Sequence, residues 1–170
     1  MSWFTRRRGA QQPATEQGLN DELRDWKVIT IDNKEEQVSF MVRQRIRKPA
    51  LPEKPRFADA IEISWPYQST GSFPTSEDNQ KQLTFERALD DLSGSNGFAE
   101  LVQVTTGMGK KQWLYYSCSR DRFMKELNMC LEGHERYPLT IEFYEDPEWQ
   151  IWTQAVESLR ESREVSPENR

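Results

Sequence analysis

Stretches in which apolar and polar residues alternate with period two are separated along the chain by stretches whose apolar residues recur every three to four. The most informative segment is residues 101–118, LVQVTTGMGKKQWLYYSC. It holds two β-rich runs around a Gly-Met-Gly turn, with a helical pattern on each side. Before it, residues 59–67 place Ile61, Ile63, Trp65 and Tyr67 on one strand face and Glu62 and Ser64 on the other. Thr75 and Ser76, followed by Glu77 and Asp78, make a helix start. Leu83, Ala88, Leu89 and Leu92 form its stripe until Gly94, Asn96 and Gly97 stop it.

After the central hairpin, Ser119 predicts an N-cap, and Phe123, Met124, Leu127 and Leu131 form a second stripe ending at Gly133. Leu139, Ile141 and Phe143 then alternate with Thr140, Glu142 and Tyr144 in a last strand. Asp146 and Pro147 form an N-cap and first-turn pair for a helix whose apolar face is Trp149, Trp152, Val156 and Leu159. Upstream, residues 26–32 (WKVITID) read as a strand, 33–36 as a turn and 37–47 as a partner strand. Pro49, Pro52 and Pro55 make residues 48–56 a stiff extended connection.

The expected architecture is therefore α+β: a ferredoxin-like β-α-β-β-α-β antiparallel sheet with an added N-terminal β-hairpin and a C-terminal helix. Residues 1–22 read as a flexible leader, 23–160 as one domain and 161–170 as a flexible tail. Composition supports a folded domain: a mean hydropathy of -0.89 is offset by 11% aromatic residues, which disordered chains lack. The leader has basic residues without an apolar run behind them, and no segment approaches the about 20 apolar residues a membrane span needs. A cytoplasmic protein is expected. Cys118 and Cys130 lack a C-x-x-C spacing, so neither a metal knuckle nor a disulfide framework is expected.

The net charge of -5 is uneven, with an arginine-rich segment set against an acidic C-terminus. Arg43, Arg45 and Arg47 share one face of the second strand with Met41, and Lys110 sits near the hairpin tip, a set that suits nucleic acid. The preferred reading is an edge strand guarded by charge against aggregation. The Gly107-Met108-Gly109-Lys110-Lys111 run lacks the helix and the Ser or Thr of a phosphate loop, so it reads as a hairpin turn. His134 stands alone after Gly133, with nothing marking a companion. Glu145, Asp146 and Glu148 are candidates for a metal or an acid-base pair, although Asp146 already has a structural task as a cap.

The sheet face away from the helices is the preferred binding surface. It is expected to carry Glu62, Ser64, Glu142 and Tyr144, joined by Gln103, Thr105, Trp113 and Tyr115 if Val102, Val104, Leu114 and Tyr116 point inward. Trp113, Tyr115 and Tyr144 would be the exposed aromatic anchors, with Glu62 and Glu142 supplying charge. An RNA-stacking face is disfavoured because those carboxylates repel phosphates. Covering of the face by the C-terminal helix through Trp149 and Trp152 is a competing structural outcome.

The order of elements and several marked positions resemble a bacterial family, domain of unknown function 695, over about residues 25–159. The resemblance rests on Trp26 opening a first strand, Ile61 to Trp65, Asp90 and Asp91, the run 102–106 (VQVTT), the aromatic strand from Trp113 to Tyr116, and Asp146-Pro147-Glu148-Trp149 with Trp152 one turn on. It implies no catalytic residues. Similar domains can occur joined to ones resembling the protein regulator of ribonuclease E, which implies, by analogy, a regulatory protein-binding role. The function expected is thus a non-enzymatic protein-binding module that regulates or neutralises another protein, such as a nuclease or toxin, with no cofactor and no metal. Nucleic-acid binding through the arginine strand and metal-dependent catalysis near Asp146 are the alternatives. A homodimer through an exposed edge strand is open.

Overall fold

A computed structural model describes residues 25–33, 38–47, 57–68, 71–92 and 97–164. The expected leader, proline connection, first hairpin turn, helix stop at Gly94 and Asn96, and last residues of the tail lie outside these. Six strands form one antiparallel sheet: β1 (Trp26–Asn33), β2 (Val38–Arg45), β3 (Asp59–Pro66), β4 (Ala99–Gly107), β5 (Lys110–Ser117) and β6 (Thr140–Glu145), in the order β1-β2-β4-β5-β3-β6. Among the described residues three α-helices accompany it, α1 (Ser76–Ala88), α2 (Arg120–Cys130) and α3 (Gln150–Glu164), with a short 3-10 turn at Asp90–Leu92. The α+β class holds. Helix α1 carries the chain from β3 over β5 to β4, and α2 carries it from β5 over β3 to β6, so each helix bridges a strand inserted between the two it joins.

Local chemistry explains the helix starts. Thr75 caps α1, its side chain accepting from Asp78 N, and Ser119 caps α2 by accepting from Arg122 N. The stripe of α1 runs through Gln82 and Phe85 and continues past its end through Leu89 and Leu92, all buried, whereas Leu83 is only half-buried. The expected stripe omitted Phe85, whose ring packs edge-on against Trp65 at 5.7 Å and Trp113 at 5.0 Å. Phe123 and Leu127 of α2 are buried as expected, and Met124 and Leu131 pack beside them.

The sheet is covered on both faces, unevenly. Ile61, Ile63, Trp65, Trp113 and Tyr115 face α1 and α2 in the larger core. Ala60, Val102, Leu114 and Tyr116 lie on the opposite face, packed with Phe57 and Trp149 and flanked by Ile151 and Trp152 of α3. This corrects the expected inward set. Leu114 and Tyr116 lie across the sheet from Ile61 and Ile63, while Trp113 and Tyr115 pair directly with Ile63 and Ile61. Val102 and Val104 fall in different cores because the β4–β5 register slips between Leu101 and Gln103, a bulge that resets the alternation.

A second correction concerns β2. It is hydrogen-bonded on both sides, to β1 and β4, so it is not an edge strand. Among the described residues the edges are β1 and β6.

The β4–β5 turn has Met108 at φ 53° and Gly109 at φ 75°, the two positive values that a tight two-residue hairpin requires. Gly107 is needed for a different reason: a Cβ there would lie 2.3 Å from Cβ of Phe40 on β2. Gly107→Ala is therefore expected to lower stability by about 1–3 kcal/mol, read as a reduced urea midpoint at unchanged slope. Gly71→Ala is the control, because a Cβ there meets nothing within 4 Å. Equal midpoints for the two variants would refute the steric argument.

Candidate functional site

The face beside α3 divides into a closed and an open end. The closed end is built on Asp146, which is buried. Its Oδ1 accepts from Gln150 N at 2.7 Å and its Oδ2 from Ile151 N at 2.9 Å, so the carboxylate caps α3 from outside the helix. Oδ2 also accepts from the Tyr116 hydroxyl at 2.5 Å, and the Asp146 N–H donates to Ala58 O at 2.7 Å. The cap is where the sequence put it, but the helix begins only at Gln150, so Pro147 lies in a preceding turn. Trp149 precedes the helix as well, in the left-handed region at φ 60°.

For a bulky residue that backbone costs on the order of 1–2 kcal/mol. Two contacts hold it: the indole stacks on Tyr116 at 4.0 Å and 12°, and Nε1 donates to Phe57 O at 2.9 Å. Trp152 then donates from Nε1 to Arg45 O at 2.9 Å, fastening α3 across to β2. The Asp-Pro-x-Trp sequence is thus a corner that seats α3 on the sheet. Both oxygens of Asp146 are engaged and Glu145 and Glu148 are exposed beside it; among the described residues no group of three His, Cys, Asp or Glu side chains is placed to hold a metal ion.

The open end lies where α3 does not reach. Glu62 on β3 stands directly opposite Glu142 on β6. Gln112 Nε2 donates to Glu62 Oε1 at 2.5 Å and to Ser64 Oγ at 3.2 Å, and Ser64 Oγ donates to Glu62 Oε1 at 3.2 Å. Tyr144 is 42% exposed, and its hydroxyl donates to Glu142 Oε2 at 3.0 Å. That bond, then partial desolvation and the negative charge of Glu142 and Glu62, raise its pKa. The structure therefore brings together Glu62, Glu142 and Tyr144 from the expected site. It removes Trp113 and Tyr115, which are 0% and 2% exposed beneath α1 and α2 and cannot serve as exposed anchors. Gln112 was missed, although its phase with Leu114 and Tyr116 places it on this face.

The basic residues are distributed differently. Arg43 Nη2 lies 3.6 Å from Glu86, Arg45 Nη1 2.8 Å from Glu100 and Arg47 Nη1 3.4 Å from Asp25. Each of the three arginines thus faces a carboxylate. Lys110 is exposed beside the hairpin turn. Glu86 on α1 also accepts from the buried Lys111 ammonium at 2.8 Å and from Trp113 Nε1 at 2.9 Å, tying helix to sheet. His134 Nδ1 lies 3.0 Å from the Tyr137 hydroxyl.

A cleft of about 280 Å³ opens at the start of α1, walled by Trp65, Tyr67 and Tyr137 and rimmed by both signs of charge, Asp78 and Glu135 with Lys81 and Arg136. Sequence patterning did not show it, because its walls come from three separate segments. Among the described residues, no helix is long and apolar enough to cross a membrane.

Asp146→Ala removes two cap bonds and strands the Tyr116 hydroxyl, so it is expected to destabilise by about 2–4 kcal/mol in urea unfolding. A loss below that of an ordinary surface substitution would show that the corner does not hold α3. The tyrosines add a pH dependence. Burial first, and for Tyr116 the bond to Asp146 next, push both Tyr115 and Tyr116 well above the ordinary 10.0. The unfolded chain then releases these protons first, so stability is intact below pH 10 and falls as pH rises beyond it. Tyr116→Phe is expected to flatten that alkaline decline. An unchanged slope would sink the linkage.

No curated protein and no solved structure matches the chain. A match does come from the family described as "Family of unknown function (DUF695)", over residues 24–156. With the match spanning most of the 170 residues, the chain belongs to the DUF695 family.

Proposed function

We propose that this protein is a non-enzymatic binding module that regulates or neutralises another protein, such as a nuclease or toxin, through the open end of the sheet face beside α3. The observation that carries the reading is the opposition of Glu62 and Glu142 on neighbouring strands. Like charges set directly opposite each other destabilise a sheet, so a pair kept there costs stability that an incoming cation would recover. Tyr144 beside it offers an exposed ring with a polar tip, a residue type enriched at protein interfaces. The partner of this chemistry presents lysine or arginine, and the acidic patch speeds the encounter.

The nucleic-acid reading has less support, because Arg43, Arg45 and Arg47 each face a carboxylate of the same chain. Metal-dependent catalysis near residue 146 has less support because the Asp146 carboxylate is spent on the helix and Tyr116. A cytoplasmic setting and a bacterial source belong to the proposal and rest on the sequence reading alone. The ferredoxin-like fold type is a reading as well. It is supported by the neighbour sequence β6-β3-β5-β4 and the two helix crossovers, while the six-strand order differs by the addition of β2 and β1.

The test begins with capture of partners from the native host's lysate, with and without nuclease treatment. Binding of a captured protein is then titrated against parent and Glu142→Lys. The variant is expected to bind at least about tenfold more weakly, a change of about 1.4 kcal/mol, with a thermal midpoint no lower than the parent's. Equal affinity defeats the proposed face, and capture that depends on nucleic acid transfers the reading to the arginine strand.

A further inference from the structure

The two edges of the sheet are unlike. β6 has 6 residues and carries exposed Glu142 and Glu145, charges that deter another strand from pairing there. β1 pairs with β2 in unbroken register over 8 residues, Trp26↔Arg45 to Asn33↔Val38, without bulge or proline. Residues 28–31 of β1 are Val-Ile-Thr-Ile, all β-branched, and Val28 is 62% exposed.

One hydrogen bond fixes which backbone groups of β1 point outward. Ile46 N donates to Asp25 O at 2.7 Å, and these two residues continue the β1–β2 register one pair beyond Trp26↔Arg45. Bonded and non-bonded pairs alternate in an antiparallel ladder. Lys27, Ile29 and Ile31 therefore turn their N–H and C=O toward β2. Trp26, Val28, Thr30 and Asp32 turn theirs away from the sheet.

We propose that β1 is the pairing edge of a homodimer, in which a second copy of this chain adds its own β1 antiparallel to the first across a two-fold axis normal to the sheet. Such an axis keeps the faces of the two copies aligned, so the numbers of opposed residues sum to an even value. The register that bonds most of the outward groups sets Trp26 against Asp32 and Val28 against Thr30 of the second copy, and Ile29 against its own equivalent. It forms roughly eight backbone hydrogen bonds and joins two sheets into one. A second copy is the occupant because this edge is self-complementary: β-branched residues meet β-branched residues near the axis, and no charge is set opposite a like charge.

The test is sedimentation of the full chain across low to high micromolar concentration. The parent is expected to move from about twice 20.1 kDa toward 20.1 kDa on dilution, and Val28→Lys to stay monomeric throughout. Hydrogen exchange on the parent decides the matter even if the variant fails to fold. The Val28 and Thr30 amides are expected to be protected when concentrated and to lose protection on dilution, while Ile29 and Ile31 stay protected at every concentration. A parent that is monomeric throughout overturns the proposal, as does a dimer that Val28→Lys leaves intact. Protection of Val28 and Thr30 that ignores concentration also overturns it, since a segment of the same chain would then cover the edge.

Discussion

The carboxylate of Asp146 is the constraint on which the second half of the architecture depends. A sheet with two helices on one face would leave Leu114 and Tyr116 open on the other. Asp146 prevents this by satisfying the first amides of α3 and the Tyr116 hydroxyl with the same two oxygens. It thereby fixes where α3 starts, which side of the sheet α3 lies on and how Trp149 reaches Tyr116. The left-handed backbone at Trp149 is tolerated because stacking and the bond to Phe57 hold it from both ends. Among the described residues, what remains accessible on this face is what α3 leaves uncovered.

Much of this was legible in the sequence, and the exceptions have definite causes. The caps at Thr75 and Ser119, the alternation of β6 and the hairpin turn were legible because each is a local signal confirmed by local bonds. The face of β5 was not. Gln112 aside, its residues 111–117 are buried on both sides, so alternation gives no preferred phase and Trp113 and Tyr115 could be set on either face. The bulge at Val102 is equally invisible, since it depends on the partner strand. Leucine and alanine spacing along α1 does not mark Phe85, because its weight in the core comes from the rings of Trp65 and Trp113 that it meets only in the folded chain.

The arginines teach a related point about charge. Read along the strand, Arg43, Arg45 and Arg47 form a basic row. In space they face Glu86, Glu100 and Asp25, carboxylates far apart in sequence for the first two. Their exposed members gain little energy from such pairing, but the field they present outward is reduced. The acidic pair of Glu62 and Glu142 is drawn together by the strand register, so two like charges stand opposite each other where the sequence shows only two glutamates eighty residues apart.

The surroundings of Glu62 bear on how that pair could be used. Gln112 and Ser64 hold one carboxylate oxygen in place before any partner arrives, and Tyr144 does the same for Glu142. A carboxylate so held has already lost its rotamer freedom on folding, and on the proposed reading little of that entropy remains to be lost on binding. The same bonds remain donors' bonds to charged acceptors, so they also blunt the repulsion between the two glutamates in the free protein. Preorganisation and repulsion thus sit in one cluster. On the proposed reading, that combination favours a placed cationic side chain over a diffuse counterion atmosphere, because a placed cation relieves both carboxylates without disturbing Gln112 or Tyr144.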